Sequence, residues 1–78
     1  MPHIIIKAIE GASHKQMEEA SLAAIEAISK VLNKPKKYFS ASFVNYSFED
    51  WEQVYNEDIK DNEDIVVKPQ YTNPKTFN

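Results

Sequence analysis

The sequence predicts a small α/β domain built around one β-α-β unit, and three segments in chain order support this. A β-branched run covers residues 2–9, a helical pattern without glycine or proline continues to Leu32, and an alternating aromatic segment covers residues 38–46. A strand, a long helix and a second strand in this order favour parallel strands joined by a crossover. Since 78 residues suffice for one such unit, we expect residues 1–78 to form a single domain.

The first strand is expected to carry apolar side chains on both faces. Ile4 and Ile6 point to one face, and Ile5 and Ile9 to the other, because side chains alternate along a strand. Such a strand is typical of a sheet that is buried on both sides. Gly11, the only glycine of the chain, follows in a break and is free to take a positive φ.

The long helix has sequence signals at both ends. Ser13 and Gln16 are three residues apart and form a capping box at the N-terminus. Asn33 suits a left-handed C-cap, and Pro35 cannot continue a helix. The apolar residues between these signals recur at helical spacing and form one stripe. They include Met17, Leu22, Ala24, Ile25, Ile28, Val31 and Leu32.

The second half of the chain predicts a shorter helix, a turn and a tail. Ser47 followed by acidic residues is a helix N-cap. The apolar stripe of that helix is formed by Trp51, Val54, Tyr55 and Ile59. An acidic turn at residues 61–64 and a brief extended piece at 65–69 follow, and the tail from Gln70 is expected to be loose.

Two strands and one long helix leave a sheet face and both strand edges uncovered. A two-stranded sheet of this kind is not a stable fold by itself. The architecture therefore predicts that a second copy of the chain completes the sheet.

Composition excludes several classes of protein. The hydrophobic fraction of 42% is that of a globular chain, and no apolar run approaches the roughly 20 residues of a membrane span. A formal net charge of −3 disfavours nucleic-acid binding. The chain has no cysteine and its start is too short and too soon charged for a signal peptide, which favours a cytoplasmic location. No spacing of histidine and acidic residues predicts a metal site, and the glycine-poor loops exclude a phosphate-binding cofactor cradle.

The N-terminal amine is the first candidate for chemistry. An initiator methionine is generally removed before a small residue, so Pro2 would start the mature chain as a secondary amine. The pKa of an α-amino group is about 8 in a model peptide, and burial would lower it. A neutral amine in an apolar pocket can act as a general base and then as an acid. Proline at the second position, taken alone, indicates only efficient methionine removal.

Three motifs in a fixed order support a catalytic role for this amine. They are Pro2-x-Ile4-x-Ile6, Glu10-Gly11-x-Ser13-x-x-Gln16 and Ala27-Ile28-Ser29-x-x-Leu32-x-x-Pro35. This pattern resembles the 4-oxalocrotonate tautomerase family. The start Met-Pro-His-Ile, the segment Phe48–Glu52 and the ending Lys68–Tyr71 are similar to its dimeric bacterial subgroup of enol tautomerases, which act on phenylpyruvate-type substrates.

The resemblance implies a tautomerase-like β-α-β fold and an isomerase that needs no cofactor. Pro2 matches the catalytic position and would move a proton between the enol oxygen and carbon. The resemblance also implies a homodimer rather than a hexamer, because the added second helix and tail prevent further assembly in the dimeric subgroup. The pocket would lie at the subunit boundary.

The chain departs from the family at its carboxylate-binding positions. Members that handle dicarboxylates carry arginines where this chain has Ala12 and Ser40, and all nine basic residues here are lysines. A lysine offers a point charge and not a two-pronged clamp. The sequence therefore favours an enol or 2-keto mono-acid with an apolar group. Four aromatic residues could line its pocket: Phe39, Phe43, Tyr46 and Trp51.

Other candidate residues have a structural and a functional interpretation. Trp51 aligns with a tryptophan of the dimeric subgroup, but it also suits the packing of the second helix. Lys37 could meet a substrate carboxylate, or it could belong to a solvated cluster with Lys34 and Lys36. His3 could tune the neighbouring amine, although its side chain should point to the opposite face of the strand.

We therefore predict an enol–keto tautomerase acting on a 2-keto mono-acid. The alternative is a non-catalytic oligomeric domain of the same fold that binds a small apolar ligand or a protein partner, an interpretation that the missing arginines support. A dehalogenase or hydratase that uses the same proline is disfavoured, because it generally needs those arginines and a water-activating acid.

Overall fold

The structure, a computed structural model, describes residues 1–72 and has the predicted order of elements. These elements are strand β1 (His3–Ile9), helix α1 (His14–Leu32), a 3-10 helix (Lys36–Tyr38), strand β2 (Ser40–Tyr46), helix α2 (Trp51–Val54) and a π-helix (Tyr55–Ile59) that continues α2. Residues 73–78, which contain most of the predicted tail, lie outside the described residues. No helix in the described part combines the length and apolar character needed to cross a bilayer.

The two strands pair in parallel, which confirms the β-α-β order of a small α/β fold. His3 lies opposite Ser40 and Ile9 opposite Tyr46. The face that carries Ala41 and Phe43 packs against α1. The other face is covered by α2 and the π-helix only towards the carboxyl ends of the strands.

The predicted ends of α1 are confirmed. The Ser13 hydroxyl accepts from the Gln16 N–H at 3.1 Å, and the Gln16 side chain accepts from the Ser13 N–H at 2.9 Å. Asn33 has the left-handed conformation, with φ of 54°, and Gly11 has a positive φ of 131°. Local patterns therefore determine where this helix begins and ends.

Ser47 caps the turn that leads into the second helix, while the helix itself starts at Trp51 with Asp50 as its N-cap. The Asp50 N–H donates to the Ser47 hydroxyl at 3.0 Å, and the Trp51 N–H donates to the Ser47 carbonyl at 3.1 Å. The helix widens into a π-helix from Tyr55, and the turn after it contains Asn62, whose carboxamide oxygen accepts from the Asp64 N–H at 2.9 Å.

The structure confirms the second strand but shortens it, and it does not show the extended piece predicted at residues 65–69. The second strand starts at Ser40 rather than at Tyr38, because Pro35 leads into a 3-10 turn in which the Tyr38 N–H donates to the Pro35 carbonyl at 3.2 Å. Residues 65–69 form no strand in the structure. Val66 is 93% exposed there.

One chain does not bury the first strand on both faces as predicted. Ile5 is 62% exposed, since α1 covers the opposite face of the sheet. Val54 is the only hydrophobic residue among residues 1–72 that is buried, at 5% exposure. A domain of this size with so small a core is expected to be marginally stable by itself.

Candidate functional site

Pro2 lies at the amino end of the strand pair. Its carbonyl accepts a hydrogen bond from the Ser40 N–H at 3.3 Å, which holds Pro2 beside the start of β2. Pro2 is half-buried and lines a cavity of about 270 Å³ together with Met1, Lys34, Pro35 and Tyr38. The residue with the strongest sequence signal therefore borders a concave surface, and Met1 is itself part of the wall.

Met1 is 98% exposed and locks the Pro2 nitrogen in a peptide bond. An amide nitrogen is not basic, so chemistry at this nitrogen requires removal of Met1. That removal would sacrifice no buried contact, because nearly all of the Met1 surface is already in water.

The C-terminal end of α1 forms the other wall of this cavity. Asn33 turns the chain into the left-handed conformation, and the Lys34 N–H then donates to the Ser29 carbonyl at 3.0 Å. Ser29 is itself buried. Pro35 continues as extended chain into the 3-10 turn that positions Tyr38. The helix cap therefore fixes the backbone that carries Lys34 beside Pro2.

The lysines around this cavity differ in their partners. Glu26 pairs with Lys36 at 2.7 Å and with Lys30 at 3.3 Å. Hydrogen bonds from Lys36 and then from Lys30 hold the pKa of the Glu26 carboxyl below its usual value. Lys37, which the sequence offered as a carboxylate ligand, has its ammonium 5.2 Å from the centre of the Tyr38 ring.

Lys34 differs from these lysines because it lines the Pro2 cavity. It makes no ion pair within residues 1–72. Its ammonium therefore has no carboxylate partner to leave when it meets a ligand; Lys34 also lines a neighbouring cavity together with Glu26.

The carboxyl end of the strand pair holds a second cavity of about 410 Å³. Trp51 lines it, and the Trp51 ring lies edge-on to Tyr46 with the ring centres 6.4 Å apart. The Trp51 indole N–H lies 3.4 Å from the Tyr71 hydroxyl. Val54 contributes to the same wall. Trp51 and Tyr46, both predicted as pocket residues, are thus brought together at this end.

Lys7 and Asp58 form an ion pair across the second cavity, between β1 and the π-helix. The Lys7 ammonium also lies 6.0 Å from the centre of the Tyr46 ring. The hydrogen bond to Asp58 raises the pKa of the Lys7 ammonium. Both charges of this cavity are therefore paired within the chain.

The other two predicted aromatic residues lie elsewhere. Phe43 faces α1 and lines a groove with Met17 and Ile25. Phe39 is half-buried at the end of the 3-10 turn, where its N–H donates to the Lys36 carbonyl at 2.9 Å. Phe39 thus belongs by chain position to the Pro2 end of the sheet, while Phe43 packs under the helix.

A single chain does not bring Pro2 and Trp51 together. They lie beyond opposite ends of β2, whose seven residues span about 20 Å at the usual rise per residue. A site that contains both residues needs two chains.

Sequence reasoning missed three features of these ends. His3 lies across from Ser40, with its Nδ1 2.7 Å from the Ser40 hydroxyl and its Nε2 3.5 Å from the Ser42 hydroxyl. The Lys7–Asp58 pair joins residues 51 positions apart and has no local signal. The position of Lys34 near Pro2 could have been predicted, because the helix of a β-α-β unit returns the chain to the amino ends of both strands.

Within residues 1–72, no group of histidine and acidic side chains is arranged to hold a metal ion. Comparison with models of known protein families gives no match, and comparison with curated proteins gives no significant match.

Proposed function

We propose that this protein is a cofactor-independent tautomerase of the 4-oxalocrotonate tautomerase type, which interconverts the enol and keto forms of a small 2-keto mono-acid. The observation that carries this proposal is the position of Pro2, half-buried beside a ligand-sized cavity and preceded by an exposed Met1. The resemblance of the sequence motifs around Pro2 supports the same activity.

The proposed reaction moves one proton and requires no other reactant. After removal of Met1, the neutral Pro2 amine takes the proton of the enol hydroxyl while the carbonyl forms. The resulting ammonium gives a proton to the adjacent carbon, and the amine is neutral again. Tyr38 lines the same cavity, so its hydroxyl is a suitable donor to the oxygen on which negative charge develops.

The substrate class follows from the charges of the chain. Without arginine, the cavity cannot hold two carboxylates by paired two-pronged hydrogen bonds. A mono-acid with an apolar or aromatic body suits a cavity whose walls include Pro35 and Tyr38.

We further propose that the active form is a homodimer rather than a hexamer. The exposed Ile5 and the 41% exposed Val44 lie on the sheet face that α2 leaves open, and a second chain can cover them. A second chain can also bring its Trp51 to Pro2, across a distance that one chain cannot span. Sedimentation equilibrium of the purified protein should give twice the chain mass, and a monomer at micromolar concentration would contradict the dimer.

The activity is tested by Pro2→Ala together with intact-mass analysis. The wild-type protein should have lost one methionine and should accelerate phenylenolpyruvate ketonisation, followed by absorbance. Pro2→Ala should lower kcat/KM by at least about 100-fold, the usual contribution of a positioned acid–base group. Pro69→Ala, at a half-buried proline remote from Pro2, serves as the matched control. Full activity in Pro2→Ala, or a retained Met1, would refute the tautomerase.

The rival function is a non-catalytic oligomeric domain of the same fold. The observation that favours it is the Trp51 cavity, which has an apolar wall but lies far from Pro2 within one chain. This alternative predicts that phenylpyruvate binds while neither the wild-type protein nor Pro2→Ala changes the rate of ketonisation.

A further inference from the structure

The residue that would bind the carboxylate of the ligand can be identified from the cavity beside Pro2. This step rests on the proposed function, because it concerns the same cavity. We propose that Lys34 binds the carboxylate of the ligand in this cavity and takes the place of an arginine clamp.

Lys34 lies in a suitable position to bind a ligand beside Pro2. Lys34 and Pro2 border the same 270 Å³ cavity, whereas Lys37 has its ammonium over the Tyr38 ring. The Lys34 backbone is held by the hydrogen bond to the Ser29 carbonyl and by the left-handed Asn33. A side chain that starts from a fixed backbone loses less freedom when it binds a ligand.

The charge of Lys34 also suits a carboxylate ligand. Glu26 is shared by Lys30 and Lys36, so each of these two lysines already has an ionic partner. Lys34 makes no ion pair within the part of the chain that the structure describes. An unpaired cation can bind a carboxylate without first breaking a bond to another side chain.

The charges near Lys34 in the chain also favour an anionic ligand. The segment from Glu26 to Lys37 contains four lysines and one glutamate, in a chain whose formal net charge is −3. The carboxyl end of α1 carries about half a negative charge, which this excess of lysines outweighs. An excess of positive charge thus lies at the end of the sheet where Pro2 lies, and it attracts an anion to that end.

The same contrast separates the two cavities as carboxylate sites. In the Trp51 cavity, Lys7 is paired with Asp58, whose carboxylate would repel a second one. Among residues 1–72, none of those that line the Pro2 cavity is acidic. The ligand's carboxylate is therefore expected at Lys34, with its apolar body towards Pro35 and Tyr38.

The test compares Lys34→Gln with Lys34→Arg, Lys37→Gln and the remote control Lys15→Gln. In Lys34→Gln, the KM for phenylenolpyruvate should rise about tenfold, the value of one charge-assisted hydrogen bond. Its KM for the uncharged methyl ester of the same enol should not change. Lys34→Arg should stay close to the wild-type protein, and Lys37→Gln and Lys15→Gln should change the KM by less than about twofold.

A binding measurement separates failure of this inference from failure of the tautomerase. Titration calorimetry with 3-phenylpropionate, which cannot tautomerise, should show binding to the wild-type protein and about tenfold weaker binding to Lys34→Gln. That result in a protein without turnover would refute the tautomerase and leave Lys34 as the carboxylate site. Pro2-dependent turnover with equal KM in Lys34→Gln and Lys15→Gln would overturn the assignment of Lys34 alone, as would undetectable binding of 3-phenylpropionate to the wild-type protein.

Discussion

The two ends of the β1–β2 strand pair carry cavities of different character. At the amino end, Pro2 and Lys34 border a small cavity, and Lys34 has no ionic partner among the described residues. At the carboxyl end, the charge of Lys7 is neutralised by Asp58, and aromatic packing surrounds it. An ion pair inside the chain thus holds two elements together, whereas a charge without an ionic partner beside a cavity can bind a ligand.

The largest loss of stability is expected from Val54→Ala, which disrupts only the packing at the carboxyl end of the strand pair. Val54 is the one buried hydrophobic residue of the described part, and shortening it should lower the free energy of unfolding by about 2 kcal/mol. Urea denaturation at a fixed protein concentration measures this loss. Val66→Ala removes the same atoms from a 93% exposed position and should have no comparable effect. Equal stability of the two variants would show that the helix docked through Val54 adds nothing to the fold.

The next largest effect is expected from Asn33→Ala at the amino end. A non-glycine residue without a polar side chain is disfavoured in the left-handed conformation, so stability should fall by about 1 kcal/mol. The loss should be accompanied by a higher KM for phenylenolpyruvate, because the cap places Lys34. Asn33→Gly, which keeps the conformation without strain, is the matched variant and should retain the wild-type KM. An unchanged KM in Asn33→Ala would show that the helix cap does not position Lys34 for ligand binding.

A smaller effect is expected from Lys7→Met, which removes the ion pair at the carboxyl end. The hydrogen bond to Asp58 raises the pKa of the Lys7 ammonium above its ordinary value of 10.5. The pair therefore stabilises the fold below that ordinary value, and the stabilisation is lost as the pH rises through the raised pKa. The Tm of Lys7→Met should lie below that of the wild-type protein at pH 7, with the difference shrinking above pH 10.5. Lys60→Met should match the wild-type protein, and a difference that persists at high pH would assign the effect to packing.

The smallest effect is expected from Glu26→Gln, which makes the amino end still more positive. Lys36 and Lys30 hold the pKa of the Glu26 carboxyl down, so its stabilisation is present above the ordinary value and lost as the pH falls through the lowered pKa. At pH 7 the Tm should drop slightly, and the KM for phenylenolpyruvate should fall by no more than about twofold, as expected for exposed pairs. Glu19→Gln, from the exposed Lys15–Glu19 pair, is the control. A rise in KM would contradict the electrostatic account of this cavity.

Local signals predicted the elements of this fold better than they predicted the contents of the two cavities. Ser13, Gln16 and Asn33 each act within one helical turn, and their roles are confirmed. The start of β2 was misplaced because a proline followed by two lysines and a tyrosine gives no clear sign of a 3-10 turn.

The cavities depend on contacts between distant residues, which a one-dimensional pattern does not record. The topology of the fold nevertheless predicts at which end of the sheet some of these residues lie. In a β-α-β unit the helix end lies beside the start of the first strand, and a helix after the second strand lies at the other end. Lys34 could therefore have been placed with Pro2, and Trp51 away from it.

The pairing of β1 with β2 has a consequence for the order of folding. His3 and Ser40 are 37 positions apart, so the strands can meet only after the intervening chain has become compact. Helix α1 supplies that compaction, since its caps and turns are local and can form first. We therefore expect Ser13→Ala to slow refolding in proportion to the stability it removes, while Val54→Ala acts mainly on the unfolding rate. Chevron plots of both variants would show whether the helix nucleates the sheet.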